Sequence, residues 1–103
     1  MALWLALVEI GKADGGVLYA EEVEGAFAWT AAEAPRAKGA LDLVRARLAA
    51  EGLAVTRIES IFEATMDDVR AYDRWLAIEL QKQETPPRVA RGALQYFAAE
   101  GEA

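Results

Sequence analysis

Carboxylates are the largest class of side chain capable of chemistry in this sequence, 17 in all. Glu21, Glu22 and Glu24 crowd one short stretch, and Asp67, Asp68 and Asp73 another. Glu59 and Glu63 stand four residues apart, with Arg57 just before them. Carboxylate oxygens suit hard cations. A carboxylate pair can also divide acid and base roles when its two environments separate the pKa values. Each cluster has a plainer explanation. The first lacks the Asp-rich, Gly-punctuated spacing of a calcium loop and reads as a negative edge that discourages strand pairing. Asp67 and Asp68 suit the positive end of a helix dipole, and Asp73 is expected to pair on the surface with Arg70 or Arg74. Glu59 and Glu63 share one alternation face of a strand, where a solvated surface and contact with Arg57 account for them.

Other chemistry is sparse. The chain has no histidine, cysteine or asparagine, and its single serine is Ser60. Without histidine a Ser–His–Asp triad is excluded, and the usual transition-metal ligands are missing. No glycine-rich phosphate loop occurs, because Gly15 and Gly16 belong to a turn signal. The expectation is therefore no catalytic residue, no cofactor and no metal site.

The formal net charge is −6, and the arginines are scattered rather than clustered. Nucleic acid and anionic membrane both demand cationic neutralisation, so neither is expected as a partner. An acidic surface suits a basic protein. The apolar start, Ala2 to Val8, lacks a basic flank, runs into Glu9 and is too short to span a bilayer. It reads as a buried strand of a cytoplasmic protein.

Function must then rest on shape and apolar surface, which depend on the elements. Residues 2–10 are apolar on both alternation faces, so this strand should be central and covered on both sides. Asp14-Gly15-Gly16 predicts a hairpin turn into a strand at 17–20. Glu21 to Gly25 interrupts the run, and strand character resumes over 26–31, with a bend expected at Gly25. A helix is expected over 34–50, with Pro35 at its start, Gly52 at its end and Ala37, Leu41, Val44 and Leu48 on one face. A strand at 53–62 should run antiparallel to the first and lie on its other side. Thr65 caps a helix over 66–83. Thr85-Pro86-Pro87 breaks the chain before a third helix at 87–99, and 100–103 should fray.

These elements predict one domain over 1–99, of α+β class. A small mixed or antiparallel sheet in ββαβ order has its first strand central. It is covered by helix 34–50 and two C-terminal helices. The order loosely resembles ferredoxin-like modules, a likeness of fold that carries no function.

The aromatic residues carry the functional expectation. Tyr72, Trp75, Leu76, Ile78 and Leu80 cover a wider arc than one sheet can bury. An association surface centred on Trp75, with Tyr72, Ile78, Leu94 and Phe97 around it, is expected to bind a protein partner or a second copy in a homodimer. The domain would then be a non-enzymatic accessory, immunity-type or inhibitor-type protein. The alternative is a small-molecule-binding or cofactor-independent enzyme domain, a homodimer with its pocket between sheet and helices. Tyr72, Arg74, Glu63 or Tyr19 would supply its polar groups. An enclosed pocket favours the alternative; a flat apolar patch above about 400 Å² favours protein binding.

Overall fold

A computed structural model describes residues 1–12 and 23–98. Its elements are β1 (Ala2–Lys12), β2 (Val23–Ala34), α1 (Ala37–Ala49), β3 (Leu53–Glu63), α2 (Met66–Tyr72), α3 (Arg74–Gln81), β4 (Val89–Arg91) and β5 (Gln95–Ala98). The five strands form one sheet, ordered β3-β1-β2-β4, with β5 also paired to β2. Every pairing is antiparallel. β1 lies between β2 and β3, so the β2–α1–β3 unit straddles it, a split βαβ arrangement. The expected hairpin strand at 17–20, the cluster at Glu21 and Glu22 and the tail at 100–103 lie outside the described residues.

The two faces of the sheet are built differently. Trp4, Ala6, Val8 and Ile10 of β1 stand opposite Ala32, Thr30, Ala28 and Ala26 of β2. The small β2 side chains let α1 approach closely, and Ala40, Val44 and Leu48 of the helix complete a buried core there. Thr30, fully buried, donates its hydroxyl to the Ala6 carbonyl at 3.1 Å, so no polar group is stranded. Trp4 Nε1 likewise donates to the Ala34 carbonyl at 3.0 Å.

β3 reaches this core by an irregular route. Its register against β1 shifts twice, leaving Glu59 and Thr56 outside the ladder. Each shift inserts one residue, so Ile61, Ile58 and Val55 all land opposite α1-face residues of β1 despite their spacing of three. Glu59 and Glu63 are therefore not equivalent positions of one face, as plain alternation had implied. Arg57 does meet Glu59, at 3.3 Å. Bulges and charges together blunt this exposed edge.

α2 and α3 pack on the other face, where Val69, Leu76, Ala77 and Leu80 join Leu5, Ala31 and Ala90 in a second core. Thr65 caps α2 in a full capping box: its hydroxyl accepts from the Asp68 amide at 3.1 Å, and its own amide donates to Asp68 at 2.9 Å. The expected continuous helix over 66–83 is broken at Asp73, whose backbone is extended (φ −154°, ψ 105°). The Asp73 carboxylate accepts from the Leu76 amide at 3.0 Å and starts α3 as a new helix. Asp73 is thus a cap, not a surface ion pair. Arg70 pairs instead with Asp67, at 2.7 Å.

The largest correction is at the expected helix 87–99, whose described residues, 87–98, carry β4 and β5 instead. The long β2 edge would otherwise leave its backbone groups unpaired beside the core. β4 pairs with Thr30–Ala32, and β5 with the start of β2. Local capture fixes the start of β4. The Gln83 side chain bonds both the amide and the carbonyl of Val89, at 3.1 and 2.7 Å, and Arg88 is clamped by Glu33. Tertiary hydrogen bonding overrides an alanine-rich helical pattern.

Candidate functional site

α2 and α3 cover only one end of their face. Its rows run Phe62–Leu5–Ala31–Ala90, then Ser60–Leu7–Trp29, then Arg57–Glu9–Phe27–Gln95, then Gly25–Phe97. Leu5, Ala31 and Ala90 are buried under the helices. Leu7, Phe27 and Phe97 join neither core and remain partly exposed. Among the described residues, no helix lies over this half of the sheet.

Two aromatic groups frame the open half. Tyr72, at the end of α2, is 52% exposed and leans on Trp29 with ring centroids 4.6 Å apart. Phe62 closes that group, 5.7 Å from Tyr72 and 6.5 Å from Trp29. On the far side Phe27 and Phe97 pack at 5.1 Å. Gly25 makes that second pair possible: a Cβ there would lie 2.8 Å from both the Phe97 ring and the Ile10 carbonyl. Such ring contacts contribute about 0.5–1.5 kcal/mol each beyond their buried area, so both groups are preorganised rather than loose. Glu9 sits between them on the same face, beside Leu7 and Phe27.

The five residues expected to share one association surface are divided by the fold. Tyr72 and Phe97 belong to the open half of the sheet, at opposite ends of it. Trp75, 62% exposed, and Ile78 stand on α3 and line a shallow recess of about 490 Å³ with Asp73 and Arg74. Leu94 packs toward the α1 core, on the opposite side of the sheet from Phe97. The helix pair that was to unite them is not formed, since the described part of that segment carries β4 and β5. Leu7, Glu9, Phe27, Trp29 and Phe62 take their place beside Tyr72 and Phe97.

A second recess, of about 410 Å³, lies beside β4 and is lined by Arg47, Trp75, Glu79, Arg91, Gly92 and Ala93. Its arginines are already engaged. Arg91 grips Glu51 with two nitrogens at 3.1 and 2.8 Å, and Arg47 reaches the same carboxylate at 2.9 Å. Burial pushes the Glu51 carboxyl upward, but the Arg91 hydrogen bonds and the two positive charges outweigh it and hold it below its ordinary value. Glu33 is held low as well, first by the hydrogen bond from the Arg88 side chain, against a smaller opposing effect of burial. Gly92 is required here because a Cβ would collide with the Asp73 carboxylate, which also accepts from the Ala93 amide at 3.2 Å. The recess is thus walled by satisfied ion pairs rather than by free cations.

The polar groups named for an enzyme pocket do not converge. Tyr72 lies on the open half of the sheet, Glu63 stands opposite Trp4 on the α1 face, and Arg74 is on α3. Tyr19 lies outside the described residues. Among the described residues, no group of three or more acidic side chains comes together as a metal site. No described helix is long and apolar enough to cross a membrane. No protein-family model, no curated protein and no solved structure matches this chain.

Proposed function

We propose that this chain is a protein-binding domain of accessory or inhibitor type, and that its docking surface is the open half of the sheet. One observation carries the reading: one end of a sheet face is sealed by α2 and α3, with Trp29, Phe62 and Tyr72 at the edge of that packing, while the other end presents partly exposed Leu7, Phe27 and Phe97 with no helix above them among the described residues. Apolar surface of this kind, fixed by ring packing, suits protein association. Aromatic anchors supply most of the energy in such contacts.

The test is site-specific photocrosslinking in the source cell. A photoreactive phenylalanine analogue at Phe27 should give a discrete adduct with another protein. The same analogue at exposed Arg45 on α1 should not, and Trp29→Lys should abolish the Phe27 adduct. Equal crosslinking from both positions, or none from Phe27, would contradict the reading.

A further inference from the structure

The open half of the sheet contains one group that does not belong in an apolar contact. Glu9 is partly buried in its middle, flanked by Leu7 along β1 and Phe27 across β2. Its side chain meets no hydrogen-bond donor or cation among the described residues. The nearest basic residue on the same face is Arg57, its ladder partner on β3. Arg57 is turned to Glu59 instead, at 3.3 Å, and its side chain is 70% exposed. Those three groups together leave one negative charge uncompensated.

Covering Glu9 with a purely apolar partner would strand a carboxylate away from water, at a cost that would offset much of the gain from burying the rings. The occupant must therefore bring a cation. Residues 13–22 and 99–103, which flank the described segments, contain aspartate and glutamate but neither lysine nor arginine, so neither stretch supplies that cation. The net charge of −6 points the same way.

We infer that the open half of the sheet receives a segment of a partner protein that presents an arginine or lysine between apolar side chains, with the cation seated on Glu9. The flanking apolar side chains lie against the Trp29–Tyr72–Phe62 group on one side and the Phe27–Phe97 pair on the other. This rests on the docking reading above and adds to it the chemistry of the partner.

The experiment selects random phage-displayed peptides on the folded full-length protein. Each recovered peptide is then measured by fluorescence anisotropy against the wild type, Glu9→Gln and Phe27→Ala, with circular dichroism confirming that both variants fold. The expected peptides carry an arginine or lysine flanked by apolar residues. Glu9→Gln should weaken them about tenfold, as should citrulline in place of the peptide arginine, and the two changes together should cost little more than either alone. Peptides that need Phe27 but carry no basic residue and ignore Glu9→Gln would overturn the inference and leave the docking reading standing. Failure to recover any peptide sensitive to Phe27→Ala would overturn both. A wild-type chain that sediments as a dimer, with Phe27→Ala restoring the monomer, would make a second copy the occupant and also overturn the inference.

Discussion

The two faces of the sheet use opposite solutions to the same problem. On the α1 face, β2 contributes alanines and one threonine, so a single helix can come close and seal β1, β2 and β3 together. On the other face the strands carry Leu7, Phe27, Trp29 and Phe62, and the helices above are short, of seven and eight residues. They seal one end only. Large side chains without a cover are costly in a domain with so little interior. The contrast separates side chains that make the fold from side chains that the fold displays.

Leu5 and Leu7 test that contrast most sharply, since they are two residues apart on one face of one strand. Leu5 is fully buried beneath α2 and α3. Leu5→Asp should remove more than about 4 kcal/mol and leave no cooperative melt. Plain alternation gives Leu7→Asp the same fate. The open half of the sheet gives it a milder one: a folded protein, destabilised by no more than about 1.5 kcal/mol, in urea unfolding. Loss of the melt in both variants would show the second position to be core.

Truncation should show the same asymmetry at smaller amplitude. Leu48 is fully buried in the α1 core, and Leu48→Ala should cost about 2–5 kcal/mol. Phe27→Ala removes a larger side chain but from a partly exposed site, and should cost about 1 kcal/mol, mostly the contact with Phe97. Equal losses would place Phe27 in a closed core.

Acid should act on neither face but on the seam at β4. Glu33 and Glu51 are both held below their ordinary value of 4.5 by arginine partners, Arg88 for the first and Arg91 with Arg47 for the second. A depressed folded-state pKa contributes stability that is present above 4.5 and lost as pH falls through the folded value. The expected loss is small, because both pairs keep contact with solvent. Melts between pH 5 and about 2 should show it, and Glu33→Gln should flatten part of the slope. An unchanged slope would mean that the Arg88 pair contributes nothing to folding.

Much of the frame could be read from residue types. Double apolarity located β1 at the centre, Pro35 and Gly52 bracketed α1, and Thr65 with Asp68 announced α2. Three features were hidden for physical reasons. Val55, Ile58 and Ile61 reach one face only because two bulges restore their register, and spacing alone does not show a bulge. Residues 89–97 have a helical pattern, but the open edge of β2 claims them as strands. Asp73 followed by Leu76 is a helix-start signal that was concealed by the longer periodic run around it. The candidate surface was half visible. Tyr72 and Phe97 were marked by their apolar character, whereas Leu7, Glu9 and Phe27 became surface only because α2 and α3 stop short.

The openness of that half-sheet is the premise on which the functional reading depends, and solvent relaxation enhancement measures it directly. A soluble paramagnetic probe added to the labelled protein should strongly relax the Leu7 methyls and the Phe27 and Phe97 rings. It should leave the methyls of Leu5, Val8, Val44 and Leu48 nearly untouched. Leu7 and Phe27 relaxing as weakly as Leu5 and Val8 would mean that the face is closed in solution, and the account of it as a docking surface would be wrong.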